Sequence, residues 1–137
     1  MIFHAKNSKG SIRSIASKRP SKSPGGNTNA TKKALFTLDI KPIADKRRQL
    51  SELIIMANER LWLGHFDYWA DEGVVIFRYT FSMMDRDEAS LGELRSTIAA
   101  AVSAVDRFVP AFNFLIWAGK SPREAMDAVM FETHGEA

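Results

Sequence analysis

Residues 61–83 read Leu61-Trp62-Leu63-Gly64-His65-Phe66-Asp67-Tyr68-Trp69-Ala70, then Asp71-Glu72-Gly73, then Val74-Val75-Ile76-Phe77-Arg78-Tyr79-Thr80-Phe81-Ser82-Met83. Two aromatic, β-branched runs separated by two acids and a glycine predict a β-hairpin, with strands over 61–70 and 74–83. Gly73 suits a turn position that needs positive φ. Alternation puts Trp62, Phe66 and Tyr68 on one face of the first strand and Leu63, His65, Asp67 and Trp69 on the other. Both faces are partly apolar, so this strand is expected to be covered on two sides.

Upstream, Phe36, Leu38 and Ile40 alternate with Leu35, Thr37 and Asp39, the pattern of a half-buried strand over 34–41. Pro42 then sets the φ of a helix start. Leu50, Leu53, Ile54 and Ala57 recur at helical spacing, predicting a helix to about residue 60 with Lys46, Arg47 and Arg48 toward solvent. Downstream, Ser90 and Glu93 form a capping box opening another helix, with Leu91, Leu94, Ile98, Ala101, Val102 and Val105 as its expected buried stripe. Pro110 is expected to interrupt or kink it. The apolar run 108–119 fits a buried helix or a buried strand, and periodicity does not choose between them. At 12 uncharged residues it is too short to cross a bilayer. Ser121-Pro122-Arg123-Glu124 is a second capping box, opening a closing helix over roughly 122–132 that buries Ala125, Val129 and Met126. The pattern predicts an α+β fold: an antiparallel sheet of about three or more strands packed with helices.

The chain has 137 residues, enough for one domain with its own core. It has no cysteine, which excludes disulfide frameworks, thiolate metal sites and cysteine nucleophiles. Its net charge of +3 is unevenly distributed. Residues 1–33 hold eight of the 19 basic residues and none of the 16 acidic ones, so this segment carries +8 and the remainder −5. The basic segment is rich in Ser, Asn, Gly and Pro and has Phe3 as its only aromatic, so it buries too little apolar area to offset its ordering entropy. A basic, disordered tail over 1–33 and a folded domain over 34–137 are therefore expected. Lys18, Arg19, Lys22, Lys32 and Lys33 are the candidate polyanion contacts of this tail. Without interleaved aromatics to stack on bases, nucleic-acid binding is the alternative and not the leading reading.

Residues with catalytic potential do not assemble into a recognisable centre. His65 and Asp67 share a strand face, but a metal needs a third ligand, and His4 and His134 lie near the termini. Local hydrogen bonding is the expected role of such a pair. Asp85-x-Asp87 begins like a calcium loop, yet Ser90 and Ser96 occupy the positions of the required glycine and closing glutamate. Glycine-rich phosphate loops and nucleophile elbows are lacking. A non-enzymatic protein without cofactor is expected. Of the 14 aromatic residues 13 lie beyond residue 34, most of them as core. Trp62, Phe66, Tyr68, Trp69 and Trp117 are the candidates for an exposed partner-binding or self-association patch. Met56, Met83, Met84, Met126 and Met130 suit either an adaptable surface or gaps in the core.

Three separated blocks carry a family resemblance. They are Ala57-Asn58-Glu59-Arg60-Leu61-Trp62-Leu63-Gly64-His65-Phe66-Asp67-Tyr68-Trp69, the segment from Pro110 to Pro122 that contains Phe112-Asn113-Phe114-Leu115-Ile116-Trp117, and the ending Phe131-Glu132-Thr133-His134-Gly135-Glu136-Ala137. In this order they resemble the alphaproteobacterial branch of the YbjN family, described as sensory transduction regulators with a fold similar to type III secretion chaperones. The resemblance implies a cytoplasmic, non-enzymatic α+β protein acting through contacts with a protein partner or a second copy of itself, without membrane insertion. It brings no catalytic residues. Members of this branch place a further helix and strands before the segment matching Ala34–Pro42, where this chain has its basic tail. An N-terminally truncated or frame-shifted member is the corresponding expectation, with an uncovered edge on the first strand.

Overall fold

The computed structural model describes residues 31–134 apart from 39, 41 and 43. The elements follow the order β1 (Thr31–Leu38), a 3₁₀ turn (Ala44–Lys46), α1 (Arg47–Asn58), β2 (His65–Trp69), β3 (Val74–Ser82), α2 (Leu91–Trp117) and α3 (Pro122–His134). The three strands form one antiparallel sheet in the order β1-β3-β2. An α+β fold is what the hydrophobic pattern predicts. β1 begins at Thr31, so Lys32 and Lys33 pair with Phe81 and Thr80 as strand residues. Lys18, Arg19 and Lys22 lie outside the described residues.

The core forms where one sheet face meets the helices. β3 is central, and its Phe77 lies directly across from Phe36 of β1 and Phe66 of β2. The three rings meet edge to face, with centroids 6.1 Å apart for Phe36–Phe77 and 5.4 Å for Phe66–Phe77. Phe66 also abuts Phe108 and Phe112 of α2 at 6.0 and 5.3 Å. Each such pair adds about 0.5–1.5 kcal/mol beyond the apolar area it buries. From α1, Leu50, Leu53, Ile54 and Ala57 close the same core, the four residues its periodicity selects. From α3 come Ala125, Met126 and Val129.

Local chemistry sets several boundaries. In the turn between β2 and β3, the Gly73 amide donates to the Trp69 carbonyl at 2.8 Å with Gly73 at φ 65°. At the start of α2, Ser90 Oγ accepts from the Glu93 amide while the Glu93 carboxylate accepts from the Ser90 amide. Arg86 in the preceding loop grips that carboxylate with both terminal nitrogens. These bonds hold the Glu93 carboxyl down to about 2. Ser121 and Glu124 repeat the box at α3.

Three expectations are corrected. Pro110 lies inside α2 without ending it, so residues 108–117 are helical. Proline removes one backbone bond, but buried Phe108, Ala111, Phe112 and Leu115 on either side keep the segment packed as helix. The expected buried stripe on the first half of α2 holds at Ala101 and Val105, with Leu94 partly buried, but Leu91, Ile98 and Val102 are exposed, and Thr97 and Ala104 face the core in addition. The large side chains of the second half set the rotation of the whole rod, and Ala101 and Ala104 then give the small surface that close approach requires. Buried Thr97 satisfies its hydroxyl by donating to the Glu93 carbonyl at 2.8 Å. Finally, β2 is five residues long, not ten, because the chain leaves the sheet at Gly64.

By length and composition the 27 residues of α2 could cross a membrane, and eight of them bury apolar side chains inside the fold.

Candidate interaction surface

The segment joining α1 to β2 carries Trp62, the most exposed large apolar side chain among the described residues. At the end of α1 the amides of Glu59, Arg60 and Leu61 donate to the carbonyls of Ile55, Ala57 and Asn58, tightening the last turn. Asn58 then reaches across to β2. Its Nδ2 donates to the Phe66 carbonyl at 3.0 Å, and its Oδ1 accepts from the Phe66 amide at 2.8 Å. One side-chain amide thus satisfies both backbone groups of Phe66 on the outer edge of β2, as a neighbouring strand would. Gly64 fixes the other side of the segment. It sits at φ 70°, and a Cβ there would overlap the Phe77 ring and stand 3.0 Å from the Arg78 carbonyl oxygen.

Between these two fixed points Trp62 and Leu63 are pushed outward. Trp62 is 100% exposed and Leu63 51%. Beside them, Arg60, Leu61, Ser103, Arg107 and Phe108 line a cleft of about 230 Å3 against α2. Arg107 lies over the Phe108 ring, 5.2 Å from its centroid, and donates to the Met130 sulfur at 3.7 Å. Arg60 donates to the Met56 carbonyl at 2.6 Å and pairs with Glu59 at 3.6 Å.

The candidate partner-binding residues do not form one patch. Phe66 is corrected outright: at 1% exposure it is the centre of the aromatic core. Trp62 is not on its strand face, since it lies in the bend before β2. Tyr68 is half-buried against the core, and Trp69 is half-buried on the opposite sheet face. Trp117, 77% exposed, ends α2 nine residues beyond Phe108, about 14 Å along the axis. Met83 and Met126 are core residues and Met84 is exposed. Of the polyanion candidates, Lys33 is exposed on β1, and Lys32 is a residue of the same strand.

His65 and Asp67 are linked through a residue that strand spacing does not reveal. Arg78 of β3 donates to His65 Nε2 through Nε at 3.1 Å, and its Nη2 lies 3.3 Å from Asp67 Oδ2. Desolvation, then the Arg78 charge, push the His65 pKa down against the pull of Asp67. His65 therefore acts as a neutral acceptor, the local hydrogen-bonding role expected of it. Among the described residues no group of three His, Asp or Glu is placed to hold a metal.

Sequence reasoning missed Asn58, Gly64 and the two arginines of the cleft. A lone glycine inside an apolar strand pattern signals a close backbone approach, and that signal was available at Gly64.

Comparison with known proteins gives one match. The profile of the YbjN family, described as "Putative bacterial sensory transduction regulator", matches residues 26–114, more than half of the chain. The matched stretch contains the α1–β2 segment, the hairpin and most of α2. No curated protein and no solved structure matches.

Proposed function

The chain belongs to the YbjN family of bacterial regulators, and on that premise we propose that it is a non-enzymatic, cytoplasmic protein-interaction module of chaperone-like action. It works by holding a protein partner or a second copy of itself and is not inserted in a membrane. One observation carries this reading: an indole fully open to water on a segment whose backbone is fixed at both ends by Asn58 and Gly64. Large apolar side chains carried on a fixed backbone need no backbone ordering on docking, and aromatic rings add few rotamers to freeze, which is how aromatic anchors contribute to binding. Trp117 and Phe131, 77% and 78% exposed, add apolar area elsewhere on the surface.

Affinity capture from lysate tests the proposal, using the full chain and the W62A/W117A double variant, with sedimentation velocity to detect self-association. Retention of a protein or formation of a dimer, either one lost in the double variant, supports it. Recovery of nucleic acid alone, released by moderate salt and absent when residues 1–25 are removed, would transfer the function to the basic tail.

A further inference from the structure

The cleft beside Trp62 has a composition unlike the rest of the folded part. From residue 34 onward the chain is acidic, with 16 carboxylates against 11 basic side chains. The cleft lining contains no acid: it has Arg60, Arg107, the Ser103 hydroxyl, the Trp62 indole and small or apolar groups. Arg107 reaches no carboxylate among the described residues, and its contacts there are the Phe108 face and a methionine sulfur. A guanidinium so placed keeps its fork of donors available for an incoming anion. Arg60, already tied to the Met56 carbonyl, is held at the rim and needs little reordering to assist. Burying Arg107 under an apolar partner would leave an unpaired charge, which is costly. The occupant must therefore bring negative charge, and the exposed Trp62 and Leu63 call for an apolar group beside it.

We propose that this cleft is the docking site for an acidic peptide segment of a partner protein, one in which an Asp or Glu adjoins a bulky apolar residue. The carboxylate takes the Arg107 fork, with Arg60 and Ser103 alongside, and the apolar side chain lies on Trp62 and Leu63. This rests on the protein-interaction reading above and names its partner chemistry. The dimensions favour a peptide over nucleic acid. About 230 Å3 accommodates one or two side chains. Two cations do not make the basic track that follows a phosphate backbone.

The test uses the full chain and fluorescence anisotropy of labelled dodecapeptides with a central Asp-Phe-Glu-Leu in a Gly/Ser background. Controls are the Asn-Phe-Gln-Leu counterpart, free acetate and benzoate as competitors, and a single-stranded oligothymidylate. The acidic peptide is expected to bind, the amide counterpart to bind about tenfold more weakly, and millimolar free acids not to displace it. R107Q and W62A are each expected to weaken binding about tenfold, the loss of one charge-assisted contact or one aromatic anchor. Thermal melts confirm that each variant is folded. Equal binding of the acidic and amide peptides overturns the proposal. So does an R107Q variant that binds as well as the parent, or oligothymidylate that displaces the peptide. Peptide failure alongside a captured protein that still depends on Trp62 or Trp117 overturns the cleft assignment alone; peptide failure with no captured protein or dimer overturns both readings.

Discussion

The bend at residues 61–64 and the strand at residues 65–69 share one aromatic run but place two of its rings at opposite extremes. Trp62 is 100% exposed and Phe66, four residues on, is 1% exposed. Composition does not separate them, since each is a large aromatic in an apolar neighbourhood. The separation comes from backbone geometry: Gly64 takes positive φ against Phe77, and the chain enters the sheet only after it. The bend has its ends fixed and its side chains free, whereas the strand has its side chains fixed. Rigidity is shared by both regions, and burial is not.

The largest expected effect lies on the buried side. Phe66 touches Phe77, Phe108 and Phe112, so F66A leaves a cavity in the middle of the core and is expected to cost about 3–5 kcal/mol. F66L, which keeps most of the volume, is expected to cost under half as much. Urea denaturation of both measures the difference, and a small loss in F66A would mean that the aromatic cluster is not the centre of stability. Next comes the position that divides the regions. G64A combines an unfavourable φ with an overlap on Phe77, and about 2–4 kcal/mol is expected. A tolerated G64A would show that the chain enters the sheet by another route.

What could be read in advance depended on whether it was local. The turn at Asp71-Glu72-Gly73, both capping boxes and the buried face of α1 follow from spacings of two to seven residues, and the structure contains them. Trp62 was misassigned because alternation assumes that the strand continues through Gly64. The buried face of α2 was misassigned at Leu91, Ile98 and Val102 because its first half takes its rotation from Phe108, Phe112 and Leu115, beyond a proline that suggests a break. Arg78 joining His65 to Asp67, and Arg107 facing the 60–63 segment, are encounters between elements 11 to 47 residues apart. Of the candidate site only the exposed tryptophan was anticipated, and neither its support nor its cationic neighbours follow from spacing.

Two smaller effects sharpen the boundary between the regions. N58A removes the amide that satisfies both Phe66 backbone groups and is expected to cost about 1–2 kcal/mol. The Phe66 amide should then exchange with solvent much faster, while the Phe77 amide on the central strand changes little. Unchanged exchange at Phe66 would mean that Asn58 does not hold the edge of β2. On the other face of β2, the His65 pKa is lowered in the folded state, so near pH 6 the unfolded chain binds more protons. Stability is therefore expected to be full above about pH 6.5 and to decline shallowly as the pH falls below it. H65Q should flatten that slope, and a rise in stability on acidification would reverse the assigned direction.

The smallest expected effect on stability is at Trp62. A residue with its whole surface in water contributes no packing, so W62A should change the unfolding free energy by no more than about 0.5 kcal/mol. The same substitution is expected to weaken acidic-peptide binding about tenfold, which separates it from F66A, G64A, N58A and H65Q. F66A reduces the amount of folded protein, and G64A and N58A also disturb the segment that carries Trp62, so in all three a loss of binding is mixed with a loss of structure. W62A leaves the scaffold intact and removes only what the scaffold displays. A destabilisation above about 1 kcal/mol would place the indole against the protein in solution. In that case Trp62 and Phe66 would both be packing residues, and the contrast between bend and strand would not survive. Unchanged stability with lost binding would instead establish that Asn58 and Gly64 hold an aromatic side chain in water for a partner.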